Sequence, residues 1–256
     1  MLNGIGEFVK TNVVIPARLG SYRFPQKSLT KILGIPMIIH VMKRAELCDF
    51  IDNVYVATPD DEIADCVFKY GGNAILTETE CKRGSDRVYE AYKKVGGDVI
   101  VNLQGDEPLV TPGMLKIAIE TLLDDTSLSC VNLFRYINHE EAKDKNESKV
   151  VTDPNGIALY YSREPVPTTW LGDNKIKYKA EVAIMPFTSK SLVDFSKLPF
   201  GELEEIESND MLRFVEHGRK VKIVESPDLT LSVDVPNDIE KVELLMQNDD
   251  LFNLYS

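Results

Sequence analysis

Short apolar runs alternate with helix-like segments through the first half of the chain, and this alternation restricts the fold more than any other feature. The predicted strands lie at residues 12–16, 53–58, 73–77, 98–103 and 129–133. The predicted helices between them lie at residues 36–47, 60–70, 85–95 and 112–124. Strands that alternate with helices in this way are typical of βαβ units, in which the strands run parallel. The sequence therefore predicts an α/β fold with a Rossmann-like, mostly parallel sheet.

The alternation ends near residue 134. Residues 138–149 are highly charged and predict an exposed loop, and residues 153–156 (DPNG) predict a tight turn between two strands. Beyond them the pattern predicts a strand over 176–187, helices near 188–197 and 206–218, a strand at 221–225 and a C-terminal helix from Pro236 to about Gln247. We therefore expect a single domain over residues 1–256, with a β-rich insertion at about residues 134–187.

Composition and charge limit the class of protein. The chain has 256 residues, of which 43% are hydrophobic, and a net charge of −12. No apolar run reaches the roughly 18–20 residues that a membrane span requires, and the N-terminal residues lack the pattern of a signal peptide. The four cysteines form no C-x-x-C pair, which is typical of reduced thiols. We expect a cytoplasmic protein that binds neither membranes nor nucleic acid, because an acidic surface repels a phosphate backbone.

A cationic loop follows the first predicted strand. The apolar run at residues 13–15 is followed by Arg18, Arg23 and Lys27. Residues 10–44 contain seven basic residues and no acidic one, where the overall composition predicts about five or six acids. A plain basic surface loop could have this composition. However, ligands of parallel α/β proteins bind at the carboxyl ends of strands, so the position favours a site for a small polyanion such as a nucleoside triphosphate.

Two isolated carboxylates follow apolar segments further along the chain. Residues 101–110 (VNLQGDEPLV) place Gln104 and Asp106 after a predicted buried strand. Asp106 would then point into the crevice where ligands bind, although it could also cap the next helix or close a turn. Residues 231–238 (LSVDVPND) place Asp234 between two valines, and a carboxylate in such a setting requires a partner or a metal ion.

A third pattern opens the predicted helix at 85–95. It reads Arg83-Gly84-Ser85-Asp86-Arg87. The N–H groups at a helix start can bind an anion or a base. Ser85 could equally be an ordinary helix cap, so this pattern alone supports either interpretation.

Together, these motifs resemble those of the CMP-Kdo synthetase (3-deoxy-manno-octulosonate cytidylyltransferase) family. Residues 15–18 match the family's I-P-A-R pattern, and Arg23, Pro25 and Lys27 match R-x-P-x-K. Residues 101–108 match V-N-x-Q-G-D-E-P, and residues 233–239 match V-D-T-P-x-D-L except at Val235 and Ile239. Residues 81–87 are similar to H-x-S-G-T-x-R, with Cys81 and Arg83 in place of His and Ser.

The resemblance implies a glycosyltransferase A-like nucleotidyltransferase that transfers CMP from CTP to an acidic sugar and releases pyrophosphate. It implies that Asp106 and Asp234 hold Mg²⁺, and that Arg18 and Lys27 neutralise the β- and γ-phosphates. The implied nucleotide-binding residues are Pro16, Ala17, Arg18, Ser21, Lys27, Arg83, Gly84, Ser85 and Gln104. The family also forms a homodimer through its inserted β region, which implies a homodimer here.

The acceptor side departs from the family pattern. Arg163 lies in a matching L-Y-F-S-R element, so we expect it to pair with the carboxylate of the acceptor. Glu181 replaces the usual His, and Met211, next to Asp210, replaces the usual Gln. Polar groups that meet substrate hydroxyls determine specificity strongly. We therefore expect an acceptor with an amino or deoxy group to be preferred over unmodified Kdo.

Kdo is nevertheless the default acceptor that the resemblance implies. Two alternatives stay open at this point. One is a cytidylyltransferase for another anionic acceptor, such as a modified ulosonate, a nonulosonate or a phosphonate. The other is a non-catalytic nucleotide-binding protein with the same fold.

Overall fold

The structure is a computed structural model that describes residues 9–20, 24–78, 80–170, 172 and 176–256. Its strands are β1 (Thr11–Pro16), β2 (Lys31–Ile32), β3 (Ile35–Pro36), β4 (Asn53–Thr58), β5 (Asn73–Leu76), β6 (Val99–Leu103), β7 (Cys130–Ile137), β8 (Lys149–Thr152), β9 (Ala158–Ser162), β10 (Tyr178–Val182), β11 (Ile184–Thr188) and β12 (Val221–Glu225). Its α-helices are α1 (Met37–Glu46), α2 (Asp61–Lys69), α3 (Gly84–Val95), α4 (Pro112–Asp124), α5 (His139–Ala142), α6 (Ser189–Lys197), α7 (Glu202–Glu207), α8 (Met211–Glu216) and α9 (Asp238–Met246). Short 3₁₀ helices lie at Lys27–Leu29 and Phe252–Leu254.

The first sheet has the strand order β11-β6-β1-β4-β5. Strands β6, β1, β4 and β5 are parallel, and Val13 of β1 is level with Val54 of β4 and Val101 of β6. Strand β11 joins the edge of β6 in the antiparallel direction. Strand β1 is buried along its whole length, as expected for a central strand covered on both faces. The predicted α/β fold with a mostly parallel sheet is confirmed.

Alternate residues of β1 face two different cores, because successive side chains of a strand point to opposite faces. Val13 and Ile15 lie in the core that includes α1, α2 and α4. Val14 lies in the core that includes α3 and α6. The sheet is thus packed between helices on both faces, and the carboxyl ends of β1 and β6 open onto the same edge.

A second sheet has the order β12-β7-β10-β8-β9, and its limits differ from those predicted. The strand predicted at 129–133 was expected in the parallel sheet. As β7 it instead lies in the second sheet and continues to Ile137, because it pairs with β10 in the antiparallel direction and with β12 in parallel. The second sheet therefore includes β12, which comes from residues beyond the expected insertion at 134–187.

The strand predicted at 176–187 is two strands in two sheets. Strand β10 pairs with β7, whereas β11 pairs with β6, and the chain changes sheet at Ala183. The backbone N–H of Gln104 donates to the Ala183 carbonyl (3.1 Å), and the Ala183 N–H donates to the Glu107 carboxylate (3.2 Å). The change of sheet is thus fixed by the loop after β6, which is distant in sequence.

Three other predicted elements differ at their limits. The helix predicted at 206–218 is divided into α7 and α8 at Ser208, whose φ of 51° ends α7. Helix α5, capped by Asn138, occupies part of the predicted loop at 138–149. Helix α9 begins at Asp238 rather than Pro236. Within the described ranges, no helix has both the length and the apolar character needed to cross a membrane.

Candidate active site

A cavity of about 660 Å³ opens at the carboxyl ends of β1 and β6. Its walls include the loop after β1, the start of α3, the loop after β6, and residues 206–208 at the end of α7. Among the described residues, the carboxylates that line it are those of Asp106 and Glu207. Seven cationic side chains also line it, namely Arg18, Lys27, Lys82, Arg83, Arg87, Lys145 and Arg163. A cavity with this excess of positive charge favours a polyanionic ligand.

Most of the predicted nucleotide-binding residues line this large cavity. They are Pro16, Ala17, Arg18, Lys27, Arg83, Gly84 and Gln104. A Cβ atom at Gly84 would lie 2.8 Å from Nε2 of Gln104, so a larger residue at position 84 would require the Gln104 side chain to move. Ser21 lies outside the described residues.

Ser85 differs from its prediction. Its side chain is fully buried, and its Oγ accepts a hydrogen bond from Nδ2 of Asn102 (3.0 Å) instead of facing the cavity. Its backbone N–H donates to Oδ2 of Asp210 (3.0 Å). Ser85 therefore connects the start of α3 to the segment before α8, and Arg83, rather than Ser85, is the N-cap residue of α3.

Lys27 lies between the two carboxylates that were predicted to hold Mg²⁺. Its Nζ is 2.6 Å from Oδ2 of Asp106 and 4.0 Å from Oδ1 of Asp234, and it donates to the Val233 carbonyl at 2.8 Å. The structure thus brings Asp106 and Asp234 together around one cationic atom, although they are distant in sequence. Lys27 was expected to face phosphates, and here its ammonium group instead binds these carboxylates.

The arrangement of these carboxylates fits a small divalent cation. Mg²⁺ uses one or two protein carboxylates and takes its other ligands from water and substrate phosphates. Asp106 and Asp234 both reach one cationic atom, Lys27 Nζ, which lies where a divalent cation could balance their charge. Within the described ranges, no group of three or more His, Cys, Asp or Glu side chains could hold a metal ion.

A second cavity of about 190 Å³ adjoins the first, and Gly84, Gln104 and Asp106 line both. Six acidic side chains line it, namely Asp106, Glu107, Glu147, Glu181, Asp210 and Asp234. Arg163 is the cation among the described lining residues. The two cavities therefore have opposite charge. Their common wall includes the carboxylate Asp106, where a ligand in one cavity could react with a ligand in the other.

Glu181 of the second cavity is a half-buried carboxylate. Its Oε2 accepts a hydrogen bond from Nδ2 of Asn209 (2.6 Å), and Asn209 also donates to Oγ of Ser148. Burial raises the pKa of Glu181 to about 7, against the opposing charge of Arg163. The sequence prediction did not include Asn209, which lies only two residues before the predicted Met211.

Arg163 lines both cavities, but backbone carbonyl groups hold its guanidinium. Nε donates to the Glu207 carbonyl (3.0 Å), Nη1 to that of Asn146 (2.6 Å) and Nη2 to that of Ser208 (3.2 Å). It was expected to pair with the carboxylate of the acceptor. In the structure it fixes the chain segments that form the wall between the cavities, and its positive charge remains at that wall.

The expected role of Met211 does not agree with the structure. Its side chain is fully buried in the core beside α3 and α6, because α8 begins at this residue and turns it inward. It therefore does not reach the acceptor cavity. The preceding residues, Asn209 and Asp210, line that cavity instead.

Glu107 was not predicted as a site residue. Its side chain is buried next to Asp106, and three groups donate hydrogen bonds to it: the Ala183 N–H, Oγ1 of Thr230 and Oγ of Ser232. Burial, together with the charge of Asp106, raises the pKa of Glu107 to about 7. The available signal was its place in the QGDEP motif, directly after Asp106.

Comparisons with known proteins identify the family of the chain. A family model described as Cytidylyltransferase matches residues 12–223. The chain is 41% identical to 3-deoxy-manno-octulosonate cytidylyltransferase 2 of Hydrogenovibrio crunogenus, over 93% of this chain and 98% of that protein. It is 37% identical to the 8-amino-3,8-dideoxy-manno-octulosonate cytidylyltransferase of Shewanella frigidimarina, over 94% of this chain and all of that protein.

A solved structure is also similar over most of the chain. It is a CMP:2-keto-3-deoxy-manno-octonic acid synthetase in complex with CTP, with a TM-score of 0.85 and 37% identity over 93% of this chain and 98% of that chain. The resemblance predicted from the motifs is confirmed. This chain belongs to the cytidylyltransferase family, within the group of the 3-deoxy-manno-octulosonate cytidylyltransferases (CMP-Kdo synthetases), and is a nucleotidyltransferase.

Proposed function

We propose that this enzyme transfers CMP from CTP to the acidic sugar 3-deoxy-manno-octulosonate (Kdo) and releases pyrophosphate. The observation that carries the proposal is the junction of a cationic cavity and an acidic cavity at Asp106. The names of the relatives and the CTP complex of the similar structure support the same activity. The larger cavity would take the nucleotide, and the smaller one the acceptor.

The residues of the large cavity would bind and orient CTP. Arg18 can donate two parallel hydrogen bonds to a phosphate, whereas Lys27 acts as a point charge. Both would neutralise the charge that builds on the β- and γ-phosphates as pyrophosphate leaves. The start of α3 at Gly84, together with Gln104, would form the edge of the site that holds the rest of the nucleotide.

Asp106 and Asp234 would hold Mg²⁺. When bound there, the ion would stabilise negative charge on the triphosphate and orient the α-phosphorus. The ammonium group of Lys27 lies between these carboxylates, from where it could turn to the phosphates of a bound triphosphate. The acceptor hydroxyl would attack the α-phosphorus and lose its proton to solvent, a new P–O bond would form, and the bond between the α-phosphorus and the leaving pyrophosphate would break.

The direct test is product formation. Purified enzyme with CTP, Kdo and MgCl₂ should release pyrophosphate and form CMP-Kdo, detected by mass spectrometry. ATP and UTP in place of CTP, and chelation of the metal by EDTA, are the controls. Binding of CTP without pyrophosphate release for any acceptor would instead favour a non-catalytic nucleotide-binding protein.

A second candidate acceptor is an amino-substituted Kdo. The observation that favours it is the acidic cavity, in which Glu181 offers acceptor oxygens to an ammonium or hydroxyl group. A relative named for 8-amino-3,8-dideoxy-manno-octulosonate shares 37% identity with this chain. Comparison of kcat/KM for Kdo, the 8-amino compound and a phosphonate would decide between them, and a clear preference for Kdo would reject the amino acceptor.

We also propose a homodimer in the cytoplasm. Two large apolar side chains of the second sheet, Tyr136 and Leu159, are exposed. Trp170, in the segment between β9 and β10, is exposed as well. Such side chains are suited to an interface with a second copy. All four cysteines are free, which agrees with a reducing compartment.

A further inference from the structure

The segment that carries Asp234 lies outside the helices and strands of the structure. It follows β12, which ends at Glu225, and precedes α9, which begins at Asp238. Regular backbone pairing therefore does not hold it in place. The position of the Asp234 carboxylate must depend on individual hydrogen bonds to neighbouring elements.

Glu107 accepts two of these bonds. Its side chain is only 1% exposed. Oε2 accepts from Oγ1 of Thr230 (3.1 Å), and Oε1 accepts from Oγ of Ser232 (2.7 Å). Oε1 also accepts from the N–H of Ala183, the residue at which the chain passes from one sheet to the other (3.2 Å).

The adjacent backbone completes the connection. The Val233 N–H donates to the Asp106 carbonyl (2.9 Å), and Nζ of Lys27 donates to the Val233 carbonyl (2.8 Å). Residues 106 and 107 thus bind three of the four residues that precede Asp234. One carboxylate joins the loop of Asp106, the segment of Asp234 and the wall of the acceptor cavity.

We propose that Glu107 is a positioning residue, which sets the separation of the Asp106 and Asp234 carboxylates through its bonds to Thr230 and Ser232. The inference rests on the proposed function, since it concerns the two carboxylates that would hold Mg²⁺. Partners behind metal ligands orient those ligands, and their loss typically lowers metal affinity about 10–100-fold.

The geometry indicates that the hydrogen bonds, more than the charge, carry this role. A glutamine at position 107 can keep its oxygen toward Ala183 and Ser232. Its NH₂ group would then face the hydroxyl of Thr230, which can accept as well as donate. Glu107→Gln should therefore retain most of the positioning, whereas removal of both hydroxyl groups should not.

The experiment compares four variants: Glu107→Gln, the double variant Thr230→Val/Ser232→Ala, Asp234→Asn and the control Thr121→Val. The Thr121 hydroxyl also donates a hydrogen bond, but to the backbone carbonyl of Ile117 within α4. Mn²⁺ binding in the presence of CTP is measured by electron paramagnetic resonance, and kcat and KM for CTP are measured with Mg²⁺. Amide hydrogen exchange of residues 230–234 gives a readout that needs no metal.

The double variant should weaken Mn²⁺ binding about 10–100-fold, lower kcat more than it raises KM for CTP, and speed exchange in residues 230–234. Glu107→Gln should stay close to the parent enzyme, as should the control. Unchanged Mn²⁺ affinity and exchange in the double variant, with binding lost in Asp234→Asn, would overturn the positioning role and leave the proposed function intact. A loss in Glu107→Gln as complete as in Asp234→Asn would also overturn it, because the charge would then be what matters. Unchanged binding in Asp234→Asn would overturn both the inference and the proposed metal site.

Discussion

Lys27 is the residue at which the nucleotide loop meets the two carboxylates. Its ammonium group lies 2.6 Å from Asp106 and 4.0 Å from Asp234. In this position it balances the charge of the carboxylates, and beside a bound triphosphate it would balance the charge of the leaving phosphates. A group whose contact strengthens as the reaction proceeds lowers the barrier rather than merely tightening binding.

Lys27→Ala should therefore reduce turnover more than CTP binding. Removal of one preorganised donor typically costs about 3–4 kcal/mol of transition-state stabilisation, or about 10²–10³ in kcat. Steady-state kinetics with varied CTP measure this, and Lys31→Ala, an exposed lysine of the same basic region, is the control. If kcat is unchanged and only KM for CTP rises, Lys27 is a uniform binding group.

Glu181 should make stability depend on pH. Burial raises its pKa from 4.5 to about 7, while Arg163 and Asp210 act on it in opposite directions. Between these values the folded protein binds a proton that the unfolded chain does not. The resulting stabilisation is complete below about pH 4.5 and is lost as the pH rises through 7.

Glu181→Gln should remove this dependence. Relative to the parent enzyme, its free energy of unfolding should increase by up to about 3 kcal/mol between pH 5 and pH 8. Urea denaturation of both proteins across this pH range measures the difference. A difference that stays constant with pH would show that Glu181 has an ordinary pKa in the folded protein.

At the scale of secondary-structure elements, a buried ion pair connects α3, α7 and α8. Nη2 of Arg213 lies 2.7 Å from Oε1 of Glu204, and Nη1 lies 3.0 Å from Oδ1 of Asp86. Both Arg213 and Glu204 are buried, so neither has water to replace its partner. The bonds hold the start of α3, beside the nucleotide cavity, against the helices that flank the acceptor cavity.

Glu204→Gln should lower the free energy of unfolding by up to about 3–5 kcal/mol, because it removes the buried carboxylate that pairs with Arg213 and leaves the more exposed Asp86 to balance the charge of the guanidinium. The matched control is Glu120→Gln, which removes an exposed pair with Lys116 on α4 and should cost less than about 1 kcal/mol. Denaturant unfolding at constant m-value measures both. Equal effects of the two substitutions would contradict the structural role given to Arg213.

The elements also show what the sequence could predict. The four parallel strands β1, β4, β5 and β6 and the helices between them were predicted to within a few residues, because each strand is marked by a local apolar run, and β1 and β6 are buried along their whole length. The change of sheet at Ala183 was not predicted, because it depends on bonds from Gln104 and Glu107, about eighty residues earlier. The division between α7 and α8 depends on one residue, Ser208, in a conformation that serine rarely adopts.

In the candidate site, too, the sequence indicated what depends on local motifs and missed what depends on contacts between distant residues. Motifs with a local signature indicated four residues that line one cavity, namely Arg18, Lys27, Gln104 and Asp106. Ser85 and Met211 were expected to face a ligand but are buried, because the direction of a side chain at the start of a helix depends on what packs against it. Asn209 and Glu107 were missed, because their importance comes from partners that are distant in sequence.

At the scale of the whole molecule, the distribution of charge matters more than the total. The chain has a net charge of −12, yet the described lining of its large cavity is rich in Arg and Lys. The net charge would repel an anionic nucleotide, whereas the cationic side chains of this cavity would attract it. The acidic cavity beside it would receive the acceptor next to the bound triphosphate, with the hydroxyl groups of the sugar toward the carboxylates and its acid group toward the positive charge of Arg163.

The exposed apolar residues of the second sheet lead to a prediction about assembly. Sedimentation equilibrium at micromolar concentration should give 57.6 kDa, twice the 28.8 kDa of one chain. Trp170→Ser, at an exposed tryptophan, should weaken the association, whereas the same change at exposed Leu244 of α9 should not. A single species of 28.8 kDa would contradict the homodimer.

The most direct test of the account is the activity of Asp106→Asn and Asp234→Asn. Each variant should keep the circular dichroism and unfolding midpoint of a folded protein, and each should lose Mg²⁺-dependent pyrophosphate release from CTP and acceptor. The loss is expected because a neutral amide oxygen is a poor replacement for an ionised carboxylate beside a divalent cation. Near-normal turnover by either variant, shown to be folded, would contradict cytidylyl transfer at this pair of carboxylates.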